Sequence, residues 1–289
     1  MDKCNLCPRK CNTDRTALTG NGKGFCNMPA NPIVAKAFLH QWEEPPISGT
    51  NGSGAIFFSG CNLKCVYCQN HAISRGQKGE EYTAAQLRDL YNELIEQGAH
   101  NINLVTGTHF ADTICKSLAE KLPVPVVYNC GGYESTETLK LLENKVSVYL
   151  PDLKYSDNTL AQRLSKAPDY FEIATRAITE MYRQTGDYVI TEDGLIEKGV
   201  IIRHLILPGY PDNTKGVIDW VANTFKPGQI LFSLMSQFTS VTQCTDNNLN
   251  RKLTSEEYEE IADYLYESGI EDGFMQELSS ASEDYIPDF

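Results

Sequence analysis

Residues 60–70 read GCNLKCVYCQN and place three cysteines, Cys61, Cys65 and Cys68, in the spacing C-x3-C-x2-C. They directly follow AIFFS at residues 55–59, a short apolar run that predicts a strand. A 4Fe–4S cluster usually takes four cysteines, so three leave one iron open. An open coordination position marks a metal centre as catalytic rather than structural. The triplet therefore predicts a catalytic 4Fe–4S cluster, with a zinc ion completed by a distant fourth ligand as the less favoured alternative.

Downstream of this loop the sequence alternates between apolar runs and amphipathic segments. Helices that begin at capping boxes are predicted where Thr83 precedes Gln86 and where Thr254 precedes Glu257. Repeated β-then-α order predicts a parallel sheet with right-handed crossovers, and six units suit an α/β fold of the partial (β/α)6, TIM-like type. Strands are predicted at 55–59, 101–106, 125–129, 146–150, 200–207 and 229–235. Helices are predicted at 83–98, 110–121, 134–144, 213–225 and 254–269, and several helical segments over 158–185.

The amino-terminal segment has a different composition. Residues 1–54 are rich in Cys, Gly, Pro and Asn and show little periodicity, which predicts an irregular metal-binding lobe ahead of a core barrel with its tail at 55–289. Four thiolates close a tetrahedral site, and both zinc and a second Fe–S cluster use four cysteines. The sequence leaves both open and favours zinc slightly on ligand geometry. The four cysteines are Cys4, Cys7, Cys11 and Cys26.

Composition narrows the classes of partner and location. The chain has 289 residues, 41% of them hydrophobic, and a net charge of −13. This acidic balance argues against nucleic acid as a partner, because it repels phosphates. No apolar run approaches the ~18 residues that suggest a membrane span, and the start MDKCNLCPRK lacks the apolar region of a signal peptide. We therefore expect a cytoplasmic protein whose clustered cysteines bind metal rather than form disulfides.

Several motifs together resemble a known family. The triplet with Tyr67 before its last cysteine, on the loop after the first barrel strand, resembles the radical S-adenosylmethionine (SAM) superfamily. The runs CNLCPRKC, GFCNMP, NLVTGTHF, YLPDLKY and GFMQELSSASEDYIPDF narrow the resemblance to pyruvate formate-lyase activating enzyme-like proteins, in the glycyl-radical activase-like branch. The resemblance implies that SAM occupies the open iron. It also implies reductive cleavage of SAM to methionine and a 5′-deoxyadenosyl radical, which abstracts a hydrogen atom.

The same resemblance implies roles for residues after the other strands. Thr106 stands where related proteins hold the SAM amine, and Asn129 is expected to bond the ribose or the methionyl group. Asp152 and Lys154 are similar to an Asp-x-Lys motif whose lysine contacts the SAM carboxylate, and Gln237 stands where related activases present a His to the adenosine. Without the resemblance, a turn at Asn129 and a surface salt bridge between Asp152 and Lys154 are the simpler explanations.

His109 and Arg203 are the candidate catalytic residues. His109 is expected to bind substrate or shuttle a proton, and the alternative is a helix-start histidine bonded to backbone. Strand alternation turns either Arg203 or His204 inward. An inward arginine needs an anionic partner, either a carboxylate or SAM.

Three functions are compatible with these predictions. The first is a radical SAM enzyme that activates a glycine of a partner glycyl-radical enzyme. The second is a radical SAM enzyme acting on a small molecule or an unrelated peptide, and the third is a non-catalytic zinc-binding interaction module. The first two imply a one-electron donor such as flavodoxin or ferredoxin.

Overall fold

A computed structural model of the chain describes residues 3–15, 24–240 and 243–278. Its strands are β1 Ile33–His40, β2 Ser53–Phe58, β3 Glu80–Glu81, β4 Ile102–Val105, β5 Val126–Cys130, β6 Val148–Pro151, β7 Val189–Ile190, β8 Ile196–Leu205, β9 Leu231–Met235 and β10 Gly273–Met275. Its α-helices are α1 Pro45–Ser48, α2 His71–Ser74, α3 Ala84–Glu96, α4 Ala111–Ser117, α5 Thr136–Leu142, α6 Asn158–Ser165, α7 Tyr170–Thr185, α8 Pro211–Thr224 and α9 Ser255–Glu267. No helix in these ranges is both long and apolar enough to cross a membrane.

The six predicted strands correspond to β2, β4, β5, β6, β8 and β9. They are neighbours in the sheet order β10-β9-β8-β6-β5-β4-β2-β1-β3, and each adjacent pair among them is parallel. The sheet begins and ends at different strands, so within the described residues it stays open rather than closing into a barrel. This arrangement confirms the predicted partial barrel. A seventh parallel strand that the sequence did not predict, β10, extends it beside β9.

The structure adds order within residues 1–54 that the sequence did not predict. β1 pairs antiparallel with β2, from Val34 opposite Phe58 to His40 opposite Ser53. The run IVAKAFLH contains a lysine and lies among polar, glycine-rich residues, so its sequence gives only a weak strand signal. Its conformation depends on hydrogen bonds to β2, a tertiary contact. The division of the chain at residue 54 stays a prediction.

Both predicted capping boxes are present. The Thr83 side chain accepts a hydrogen bond from the backbone of Gln86, whose own side chain accepts one from the Thr83 backbone. Thr254 and Glu257 repeat this arrangement at the start of α9. Both helices therefore begin where the sequence predicts, because the cap satisfies amide donors that have no partner inside the helix.

The interior of the barrel is apolar at its amino end and polar above it. Val127, Leu150, Ile201 and Leu231 point inward and pack around Ile47 of α1, so this short helix fills the amino end of the barrel. Two residues further toward the carboxyl end of each of these strands, the inward-facing side chains are polar. The site therefore lies at the carboxyl ends of the strands, as expected for parallel α/β folds.

Candidate active site

The cysteine loop leaves β2 through Gly60, a position that requires glycine. Its φ is +81°, and a Cβ there would lie 2.4 Å from Cγ of Met28. The loop then turns so that Cys61, Cys65 and Cys68 all line one cavity. The backbone conformation at Gly60 therefore directs the triplet to the carboxyl end of the barrel. This is the position predicted from its place directly after the first strand.

Neighbouring elements hold the triplet in place. The Ser165 hydroxyl at the end of α6 donates to Sγ of Cys65 at 3.0 Å, and Arg75 donates to the Cys65 carbonyl oxygen at 3.1 Å. Tyr155 shares a hydrogen bond of 2.6 Å with Ser165 and another with Tyr67. The aromatic residue of the triplet therefore belongs to a chain of hydroxyl groups that ends at a cysteine sulfur.

The donor set of the triplet fits a cluster with one open iron. Cys61, Cys65 and Cys68 supply three thiolates, and all three line the same cavity. In a 4Fe–4S cluster each cysteine binds a different iron, so three cysteines leave the fourth iron free for another ligand.

The cysteine triplet and most of the other predicted site residues meet in this cavity. Its volume, taken as the space open to the centre of a water-sized sphere, is about 240 Å³. At the end of β4, Thr106 has the unusual φ of +63° and donates its N–H to the Asn129 carbonyl oxygen at 2.8 Å. A left-handed conformation at a residue other than glycine is typical of functional sites. The predicted residues that line the cavity are Cys61, Cys65, Tyr67, Cys68, Thr106, Asn129, Asp152, Lys154, Arg203 and Gln237.

Arg203 organises the polar floor of the cavity. Its inward side chain donates to Asp152 at 2.8 Å, to Glu43 at 3.0 Å and to Asn129 at 2.7 Å. The anionic partner expected for an inward Arg203 is therefore provided by carboxylates of the protein itself. His204 points the other way, where its Nε2 lies 3.0 Å from the Thr214 hydroxyl of α8.

Lys154 and Asp152 form a half-buried pair at the cavity wall, with Nζ 2.5 Å from Oδ2. Burial alone would raise the pKa of Asp152, but the charges of Arg203 and Lys154 hold it below its ordinary value. Burial likewise opposes the charge on Lys154, but the Asp152 carboxylate keeps the pKa of Lys154 above its ordinary value. Both groups therefore carry charge at neutral pH.

Comparison with known proteins agrees with this geometry. Residues 55–221, which hold the triplet and the strand ends from β2 to β8, match the model of the radical SAM superfamily. This chain belongs to the radical SAM superfamily. The cofactors of that superfamily are a 4Fe–4S cluster and SAM, which confirms the cofactor prediction from the triplet.

Relatives of this radical SAM protein extend the match along the chain. An uncharacterized protein of Methanocaldococcus jannaschii, MJ0674, is 29% identical over 268 residues, which cover 89% of this chain and 72% of that protein. SuiB of Streptococcus suis has a similar fold, with a TM-score of 0.50 and 13% identity over 79% of this chain and 50% of SuiB. HydG, a maturase of the [FeFe]-hydrogenase, has a TM-score of 0.51 and is 14% identical. The match covers 74% of this chain and 49% of HydG. The chain thus matches about half the length of these solved structures, which supports the fold.

His109 is the predicted site residue that the structure places elsewhere. It does not line the triplet cavity, and its Nε2 lies 2.8 Å from the Ser59 carbonyl oxygen. Burial, with a smaller contribution from Arg15, lowers the pKa of His109 to about 3. Contact with substrate has no geometric support, and the backbone-bonded alternative describes its position. Its ring lines a second, smaller cavity together with Cys4, Cys7, Cys11 and Cys26.

Two acidic residues that were not predicted from the sequence, Glu43 and Glu44, extend from the amino-terminal segment toward the barrel interior. Glu43 lies between β1 and α1, lines the cavity and also accepts from Asn103 and Asn129 at 3.2 Å each. The adjacent Glu44 is buried and accepts from Ser233 at 3.1 Å. The sequence EEPP carries no local signal for this position, because Glu43 reaches the cavity through the tertiary placement of α1.

Proposed function

We propose that this chain cleaves SAM reductively and uses the resulting radical to abstract a hydrogen atom from a substrate. One observation carries the proposal: a single cavity brings together the cysteine triplet and polar side chains from the carboxyl ends of five other strands. When bound, the reduced cluster supplies the electron that cleaves SAM to methionine and a 5′-deoxyadenosyl radical. Cys61, Cys65 and Cys68 would hold the cluster.

The remaining residues of the cavity bind and orient SAM. Lys154 offers an ammonium group for the carboxylate of SAM, and its pairing with Asp152 keeps it in reach of the triplet side of the cavity. The carbonyl and hydroxyl of Thr106 are acceptors for the amine, and the left-handed backbone at Thr106 sets their direction. Asn129 and Gln237 are the candidates for the ribose and the adenine.

Arg203 acts in this proposal as a positioning residue. It contacts Asp152 and Asn129 at once, so it fixes the relative positions of two strand ends that bind different parts of SAM. Its side chain is 14% exposed, so water has little access to these contacts. Low solvent access strengthens the charge interactions and limits side reactions of a radical.

For the substrate we propose a glycine in an exposed segment of a partner protein. The cavity reaches the surface beside Trp42, whose side chain is 62% exposed and lines the cavity. An exposed indole at the rim offers a contact for a peptide that enters from outside. A small molecule or an unrelated peptide is the alternative, and a one-electron donor such as flavodoxin or ferredoxin is required in either case.

The first test is SAM cleavage by anaerobically reconstituted protein reduced with dithionite. We expect 5′-deoxyadenosine from the wild type and from Cys115→Ala, a cysteine outside both groups, and none from Cys65→Ala. Full iron and sulfide content without 5′-deoxyadenosine, either alone or with candidate substrates, would contradict the proposed function.

A second experiment separates the substrate classes. The protein is incubated with SAM and a candidate glycyl-radical partner labelled with deuterated glycine. A glycyl radical signal in electron paramagnetic resonance, together with deuterium in the 5′-deoxyadenosine, supports the activase. Deuterium transfer from a small molecule instead would replace that substrate assignment and leave the SAM chemistry intact.

A further inference from the structure

The amino-terminal cysteines form a second site, which lies outside the region that matches the superfamily. Cys4, Cys7, Cys11 and Cys26 line one cavity, although they come from two separate parts of the chain. The backbone N–H of Phe25 lies 3.3 Å from Sγ of Cys11. Donors directed at cysteine sulfurs are typical of metal-bound thiolates, whose charge they stabilise.

A cation lies in the wall of this cavity. Arg15 is buried and places Nη1 3.4 Å from Sγ of Cys4. Its other donors reach the carbonyl oxygens of Met28, Pro29 and His109, so the guanidinium is fixed in place. A buried arginine bonded mainly to neutral carbonyls needs an anionic partner. Thiolate ligands would provide that negative charge.

His109 forms part of the wall of this cavity. Its Nε2 donates to the Ser59 carbonyl oxygen, so Nδ1 carries the free lone pair. Among the described residues Nδ1 has no hydrogen-bond partner, and the ring lines the cysteine cavity. His109 therefore connects the cavity to the backbone that leads into the catalytic loop.

The four cysteines supply a complete ligand set. Four thiolates can close a tetrahedral zinc site or ligate all four irons of a 4Fe–4S cluster. The groups around the sulfurs favour the cluster, because Arg15 and the backbone N–H of Phe25 are directed at two of them, and hydrogen bonds to ligand sulfur are a means of tuning the potential of Fe–S clusters.

We propose that Cys4, Cys7, Cys11 and Cys26 bind a second 4Fe–4S cluster. With four cysteines every iron is ligated, so this cluster has no open position and does not bind SAM. Arg15 offsets part of its negative charge. The sequence alone favoured zinc slightly on ligand geometry, whereas the donors directed at Cys4 and Cys11 favour the cluster.

Two hydrogen-bonded connections join this site to the catalytic loop. Arg9, between Cys7 and Cys11, donates Nε to the Asn62 carbonyl oxygen at 2.8 Å and a second N–H to the Ser165 carbonyl oxygen at 2.8 Å. His109 reaches the carbonyl oxygen of Ser59, two residues before Cys61. The second site therefore contacts residues on both sides of the position where the triplet begins.

Metal analysis of the full chain tests the proposal without any substitution. Anaerobically reconstituted protein should contain about eight iron and eight sulfide ions per chain, and no stoichiometric zinc. About four iron ions with one zinc ion per chain would overturn the proposal, and so would about four iron ions with no other metal.

Two sets of variants assign the clusters to their sites. With Cys61, Cys65 and Cys68 changed to Ala, about four iron ions should remain, with a reduced-cluster resonance spectrum that SAM does not alter. With Cys4→Ala and Cys7→Ala, about four should remain, with a spectrum that SAM does alter. Cys115→Ala should keep all of the iron. A triplet variant without iron would refute the second cluster, whereas a SAM-insensitive wild type would count against the proposed catalytic site instead.

Discussion

Arg203→Met is the substitution that tests the polar floor most directly. Methionine keeps most of the side-chain length and removes the charge and all donors. Glu43 then loses its cationic partner, and Asp152 loses one of its two, since Lys154 remains at 2.5 Å. We expect the folded state to become less stable and SAM binding to weaken.

The expected magnitude follows from these contacts. Removing one partner of a buried ion pair costs about 3–5 kcal/mol, because the other charge stays buried without compensation. Glu43 keeps two amide donors, from Asn103 and Asn129, and Asp152 keeps Lys154. These remaining contacts place the expected loss at the lower end, about 3 kcal/mol.

Urea unfolding of the full chain under anaerobic conditions, followed by far-UV circular dichroism, measures the loss. Arg183→Met is the matched control, since Arg183 bonds Glu143 and Glu180 at the exposed surface, and it should change stability far less than Arg203→Met. Adding Glu43→Gln to Arg203→Met should restore roughly 1–2 kcal/mol, because it removes the unpaired charge. A loss for Arg203→Met no larger than that of the control would refute the argument.

Three further predictions concern other parts of the site. Burial raises the pKa of Glu44 to about 7, above its ordinary value of 4.5. The protonated form of Glu44 therefore stabilises the folded state, fully below pH 4.5, and this stability is lost as the pH rises through about 7. Glu44→Gln should therefore gain stability relative to the wild type between pH 5.5 and pH 8, by roughly 2 kcal/mol in urea unfolding, and an unchanged difference would contradict this. Gly60→Ala should lose most of the triplet iron, whereas Gly186→Ala, with φ +67° and open space around it, should keep it; equal iron contents would count against the steric argument. Ser165→Ala removes the hydroxyl donor to Cys65 and should lower the cluster reduction potential in a spectroscopic redox titration, because hydrogen bonds to ligand sulfur favour the reduced state; an unshifted potential would contradict that role.

Local patterns predicted the parts of the fold that depend on local physics. The capping boxes at Thr83 and Thr254 fixed where two helices begin, and the six apolar runs gave the parallel strands because buried strands need apolar side chains on both faces. The triplet and its strand-end position predicted the catalytic cavity. Thr106, Asn129, Asp152 and Lys154 lie together because parallel strands bring their carboxyl ends to one edge.

Tertiary contacts account for what the sequence did not predict. The strand Ile33–His40 has a weak pattern of its own and depends on pairing with β2. Glu43 reaches the cavity because α1 enters the amino end of the barrel, and no local signal describes that path. His109 illustrates the opposite error: its place after a strand suggested catalysis, but its ring turns toward the amino-terminal cysteines.

The contact between Glu43 and Arg203 joins residues 160 positions apart in the chain. A fragment limited to residues 55–221 would keep Arg203 but lack Glu43 and also Ile47, which fills the amino end of the barrel. It would also end before β9 and β10. Such a fragment would have a buried cation without its carboxylate and an open hydrophobic amino end. The segment that identifies the superfamily is therefore smaller than the unit that folds, and truncation studies should retain the residues from β1 to β10.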